Sequence, residues 1–216
     1  MHPEWLSNAY LLGDKEGGTG VFVDSGAPLR PLFDAVSAHG LRVTHLLTTH
    51  ADADHIAGDD AIRGRYDCKV VKGDLETGGL SVRALRTPGH KDDHLAFVVN
   101  DQLCCSGDVL FKDAVGGGDF EQIKEAVMDV FMSMPHDRRV LPGHTDETTV
   151  GREWEENPFV RVWRGVDPEG TERVRASGRD ATLVVWSPDY DGKGKAWVRF
   201  DDGTDAIVGG SRVERG

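Results

Sequence analysis

The sequence predicts a mixed α/β protein, two layers of sheet covered by helices with a small all-β appendage at the C-terminal end. Three observations carry this. Eight short β-branched or aliphatic runs are bounded by Gly, Asp, Asn or Pro. Two helical-period segments interrupt them. Glycine makes up 27 of 216 residues, above an average of roughly 7%, and is spread along the chain as tight turns between strands would require.

In chain order the expected strands are Leu6–Leu12, Gly20–Asp24, Arg42–Thr48, Cys68–Lys72, Leu80–Arg86, His94–Val99, Gln102–Ser106 and Arg139–Leu141. A helix is expected over Ala27–His39, from Leu29, Leu32, Phe33 and Val36 at helical spacing, with Gly40 suited to close it. A second is expected over Asp119–Met134. There Phe120, Ile123, Val127, Val130, Phe131 and Met134 form one stripe, the first turn is acidic, and Pro135 stops it. After the linker-like Gly165–Gly170 the composition shifts to four strands: Arg173–Ala176, Ala181–Trp186, Lys195–Phe200 and Asp205–Val208. Hairpin turns at Asp189–Gly192 and Asp201–Gly203 suggest a small SH3-like barrel. Its aromatic residues Trp186, Tyr190 and Trp197 are read as core. The domains are thus 1–166 and 167–216, and the appendage is assigned either to closing over the cleft or to dimerisation.

The formal net charge is −12, with no basic run, which argues against a nucleic-acid partner. Residues 171–216 hold eight basic and eight acidic side chains, so the negative charge lies before them. Met1 to Gly18 carries Glu4, Asp14, Lys15 and Glu16 without a continuous apolar stretch, so neither a signal peptide nor a spanning helix is read. A cytoplasmic protein with no membrane partner is expected, and a homo-oligomer stays open. Cys68, Cys104 and Cys105 form no disulfide framework and no CxxC pair, and are read as buried small hydrophobes.

The chemistry gathers at strand ends. Strand Arg42–Thr48 runs into a segment placing His50, Asp52, Asp54 and His55 within six residues. Imidazoles and carboxylates packed this closely repel one another or stay unpaired unless a divalent cation neutralises them. Three later segments, Thr87-Pro88-Gly89-His90, Ser106-Gly107-Asp108 and Leu141-Pro142-Gly143-His144, each deliver one further ligand from a strand end. His39, His45 and His136 read as structural or surface imidazoles. A Ser–His–Asp triad has no support, because no GxSxG elbow occurs.

In order, spacing and flanking residues these four motifs resemble the metallo-β-lactamase superfamily, over roughly residues 5–164. Within it the tail Leu141–His144, Thr148–Glu153 and Asn157-Pro158-Phe159, with Gly107–Lys112, is similar to the short glyoxalase II-like (hydroxyacylglutathione hydrolase-like) enzymes. The resemblance implies a four-layer αββα sandwich with a two-metal site on its rim, zinc foremost and iron or manganese as alternatives. His50, Asp52 and His90 would hold the first metal; Asp54, His55 and His144 would hold the second; and Asp108 would bridge. The usual motif has His where this chain has Asp52, a change toward harder metals. Asp54 would also orient the attacking water, as the catalytic carboxylate. Two such cations lower the pKa of a shared water from about 16 toward about 7, so that hydroxide attacks an acyl carbonyl and no side-chain nucleophile is needed. His94, where relatives carry a small residue, is read as a substrate or supporting contact.

The implied function is a metal-dependent hydrolase acting on a small-molecule thioester or related ester. Two alternatives stand beside it. One is an iron-dependent persulfide dioxygenase using His50, His90 and Asp108, and the other is a non-catalytic metal-binding scaffold.

Overall fold

The computed structural model of the chain describes residues 4–216; residues 1–3, part of the N-terminal reading, lie outside them. Two compact units form. The first comprises the described residues up to Arg86, with Asp93–Gly107 and Leu141–His144, and the second comprises Thr87–Asp92, Asp108–Val140 and Thr145–Gly216.

In the first unit, strands β1 (Tyr10–Gly13), β2 (Thr19–Val23), β3 (Arg42–Leu47) and β4 (Lys69–Val71) make one sheet in chain order. β1 runs antiparallel to β2, whereas β2, β3 and β4 are parallel. Helices α1 (Arg30–Ala38), α2 (Ala53–Ile56) and α3 (Asp59–Tyr66) connect these strands. β5 (Leu75–Thr77), β6 (Leu80–Arg86), β7 (Leu95–Val99) and β8 (Leu103–Gly107) form an antiparallel meander. Leu141 and Pro142 of β9 (Arg139–Pro142) extend it beside β8.

β2 is buried on both faces, as a parallel strand between layers must be. Val21 and Val23 join Leu47, Val82, Phe97 and Val99 in the core between the sheets. Phe22, Val43 and Leu46 point the other way, to Val36 of α1 and Ile62 of α3. α1 closes through Gly40 at φ 61°, where the Leu41 N–H bonds the Val36 carbonyl at 3.0 Å, a left-handed cap that glycine adopts without strain.

In the second unit, α4 (Phe120–Glu125) is capped by the Asp119 carboxylate, which accepts the Gln122 N–H at 3.0 Å. Arg139 and Val140 pair with β10 (Thr148–Thr149), and helices α5 (Val150–Glu156) and α6 (Pro158–Trp163) follow. The C-terminal strands β11 (Glu172–Ala176), β12 (Arg179–Ser187), β13 (Lys195–Phe200), β14 (Asp205–Gly209) and β15 (Val213–Arg215) form an antiparallel sheet in the order β14-β13-β12-β11-β15.

Several expectations shift. The strand expected from Leu6 begins only at Tyr10, because Leu6 sits at φ 57° and breaks the extension. The helix expected to Met134 widens after Glu125 into a π-helical stretch, Ala126–Phe131. The wide turn rotates the stripe, so Met132 is buried while Val130 is half-buried. The appendage has a fifth strand, β15. Trp186, expected in the core, is 38% exposed after a bulge between Leu183 and Val185, with the Arg215 guanidinium 4.3 Å over its ring. Trp197 is buried, and so are all three cysteines. Burial pushes the Cys105 thiol well up, which keeps it inert. Among the described residues no helix is long and apolar enough to cross a membrane.

Candidate metal centre

Within the first unit, β3 ends at Leu47 and the chain turns through Thr48–Asp52 into α2. A four-residue helix has no room to bury an apolar face; it sets Asp54 and His55 side by side at the strand end. His50 and His55 are fully buried, and their rings lie 4.1 Å apart.

The Asp24 carboxylate, just beyond β2 at φ 57°, orients both imidazoles. One oxygen accepts the Thr49 N–H at 2.8 Å. The other accepts the Thr49 hydroxyl at 2.8 Å and His55 Nδ1–H at 2.8 Å. Because that hydroxyl donates to Asp24, it can only accept from His50 Nδ1–H, 3.0 Å away. Both protons therefore sit on Nδ1, leaving both Nε2 lone pairs available as ligands.

His144 is treated alike by a different partner. Its Nδ1 bonds the Leu6 carbonyl at 3.0 Å. The segment bearing Leu6 is tied to the His144 turn by Asn8 N–H to the Gly143 carbonyl at 2.7 Å and Tyr10 hydroxyl to the Pro142 carbonyl at 2.6 Å. In the second unit, His90 Nδ1 bonds the Gly117 carbonyl at 2.9 Å.

All four imidazoles thus point Nε2 at a carboxylate. The separations are 3.8 Å for His50–Asp52, 3.7 Å for His55–Asp54, 3.4 Å for His144–Asp54 and 3.9 Å for His90–Asp108. These exceed hydrogen-bond length but suit two ligands of one cation, since donors about 2.1 Å from an ion in tetrahedral geometry lie about 3.4 Å apart. Donor atoms of Asp54, His55 and His144 all fall within 4.8 Å of one another. The donor set, imidazole nitrogen with carboxylate oxygen, fits zinc, iron or manganese.

Of the seven expected ligands, the first unit holds His50 beside Asp52 and gathers Asp54, His55 and His144, while the second holds His90 facing Asp108. His94 is 1% exposed, its ring 5.0 Å from that of His50. A Cβ on Gly107 would meet His94 Nε2 at 2.5 Å, so a side chain there would clash with the ring. Sequence reading missed Asp24, Thr49, Leu6 and Gly117. Only Asp24 left a signal, a carboxylate at the end of an otherwise apolar strand; the two carbonyls carry no residue-type signature at all.

A family model for the metallo-beta-lactamase superfamily matches residues 2–206. The chain belongs to that superfamily. Its α/β sandwich is the fold expected, and the superfamily's divalent-metal binding agrees with the His/Asp donors. The chain is 31% identical over 202 residues to a hydroxyacylglutathione hydrolase of Rhodopseudomonas palustris strain BisA53, covering 83% of this chain and 75% of that protein. Against the hydroxyacylglutathione hydrolase of strain HaA2 the match spans only 61% of that protein's length. Among solved structures, ETHE1 from Myxococcus xanthus matches with TM-score 0.64 at 26% identity, covering 74% of this chain and 82% of that one. TTHA1623 in a di-iron-bound form matches with TM-score 0.62 at 26% identity, covering 74% and 97%.

Proposed function

We propose that this superfamily member is a metal-dependent hydrolase that cleaves a thioester or related ester, with hydroxyacylglutathione-like chemistry. In this reading, as the family resemblance implies, His50, Asp52 and His90 would hold one divalent ion, Asp54, His55 and His144 the other, and Asp108 would serve as a further ligand. The observation that carries it is the common polarity of the four imidazoles, each anchored through Nδ1 with Nε2 facing a carboxylate. Likeness to a hydroxyacylglutathione hydrolase at 31% identity supports the reaction class.

Bound there, the two ions supply Lewis acidity toward an acyl carbonyl and a water acidified to a pKa of about 7. The chain's own residues do the rest. Asp24 and the Leu6 and Gly117 carbonyls hold the ligand tautomers. Asp54, with a quarter of its side chain open to solvent (26%), accepts a hydrogen bond from the attacking water and orients it. The −12 charge and the lack of a basic run support a small-molecule substrate rather than nucleic acid. His94, buried behind His50, serves as a supporting contact.

The test is metal per chain on protein purified without chelator, followed by hydrolysis of glutathione and coenzyme A thioesters. Near two equivalents with thioester turnover is expected, and turnover unaffected by removing metal would refute the reading. A second reading, a mononuclear iron persulfide dioxygenase on His50, His90 and Asp108, draws on Asp52, whose carboxylate moves the first site toward harder metals. One iron per chain with oxygen consumption on glutathione persulfide would favour it.

A further inference from the structure

We infer that the C-terminal sheet is a positioning element for the His90 imidazole, which rests on the reading of His90 as a metal ligand. The route is short and lies wholly in the second unit. The Gly117 carbonyl fixes His90 Nδ1–H at 2.9 Å. Next to it, the Asp119 N–H bonds the Gly89 carbonyl at 2.9 Å, so the 117–119 turn grips the His90 backbone from the preceding residue as well. The fit is tight, because a Cβ on Gly118, at φ 148°, would stand 2.1 Å from the Gly89 oxygen and 2.9 Å from His90 Cα.

A glycine-rich turn cannot hold such a geometry by itself, since glycine has the most backbone freedom to lose. Three strands of the C-terminal sheet restrain it. Ile207 of β14 forms an isolated antiparallel bridge with Gly118, and its carbonyl lies 3.5 Å from where a Gly117 Cβ would be. Trp197 of β13 packs its ring 5.0 Å from Phe120, the first residue after the turn, and is itself aimed by its indole N–H bonding Asp205 at 2.7 Å. Ser187 of β12 donates to the Asp113 carbonyl, upstream in the same loop. The sheet's remaining core, including Val198, packs within the sheet.

Trp197, through its ring, and Ile207, through its backbone, are therefore positioning residues that act on His90 through the Gly117–Phe120 turn. Groups that orient a metal ligand typically change metal affinity 10- to 100-fold when altered. Zinc titration of the full-length protein against a competing chelator, at a temperature where every variant is folded by circular dichroism, resolves the two equivalents. His90→Ala identifies which equivalent uses His90. Trp197→Leu, which removes the ring packed on Phe120, and Ile207→Pro, which alters the backbone that bridges Gly118, are expected to weaken that same equivalent about tenfold or more and spare the other, whereas Val198→Ala, a buried loss within the sheet, changes neither. Gly118→Ala, which perturbs the turn directly, is expected to match the two sheet variants; Ile207→Pro keeps the test decisive if Trp197→Leu fails to fold. If Trp197→Leu and Ile207→Pro leave both affinities unchanged while His90→Ala weakens one, or if Val198→Ala weakens the same equivalent, the positioning role is overturned and the ligand assignment survives. If His90→Ala itself changes neither equivalent, the ligand reading fails first.

Discussion

Asp24→Asn isolates the electrostatic core of the site. The substitution is nearly isosteric, and Asn tolerates the left-handed φ of 57°. What changes is one oxygen. In the native protein that oxygen accepts both the Thr49 hydroxyl and His55 Nδ1–H, each at 2.8 Å. An Asn that keeps its carbonyl toward the Thr49 N–H presents NH2 to two donors. Relief requires the His55 proton to move to Nε2, the nitrogen facing Asp54, and the Thr49 hydroxyl to turn toward His50 Nδ1, displacing the second imidazole's proton likewise. The opposite amide rotamer sets NH2 against the Thr49 N–H and leaves a buried donor unmatched, at about 1–3 kcal/mol. Each imidazole in the wrong tautomer costs 10- to 100-fold in metal affinity, or about 1.4–2.7 kcal/mol. Zinc affinity measured by chelator competition should therefore fall at least tenfold, with the metal-free protein still folded. Affinity within twofold of native would show that Asp24 does not set the tautomers and would remove the main physical support for Nε2 ligation.

Other outcomes follow from the same structure. Asn157→Ala removes the α6 cap, which accepts from Phe159 and Val160 N–H, and withdraws the amide that bonds the Ala114 carbonyl and buried Glu153; a loss of about 2–3 kcal/mol and of about 5–10 °C in Tm is expected by calorimetry, and a shift under 2 °C would contradict it. Arg161 bonds both oxygens of Asp167 at 2.6 and 2.7 Å and holds that carboxyl below 3.8, the value of the free group. A lowered folded pKa means stabilisation that is present above about 4 and is lost as the pH falls through the lowered value. The stability gap between native protein and Asp167→Asn in urea should thus be larger at pH 7 than at pH 3, and a gap that grows on acidification would reverse the sign. Asp52→His should raise zinc affinity at the first position and lower the preference for manganese in competition; unchanged metal content in that variant would show that residue 52 is no ligand.

Much of this protein is legible in its residues because the determining interactions are local. The strand Leu80–Arg86 and the strand Lys195–Phe200 match expectation residue for residue, since strand-forming residue types and flanking turns decide them within one segment. Boundaries moved where one backbone angle intervened, as at Leu6. Helices α5 and α6 went unread although their signals were present, Thr149 capping one and Asn157-Pro158 opening the other. The proposed donors His50, Asp52, Asp54, His55, His90, Asp108 and His144 could be named from residue type because a metal demands particular side chains. What orients those donors could not. The Leu6 and Gly117 carbonyls are backbone atoms that any residue supplies, and Asp24 reaches His55 from 31 positions away. Residue type sets which atoms can bind a metal; only the tertiary fold decides which nitrogen of each imidazole keeps its proton, because that is settled by a partner the chain brings back from a distance.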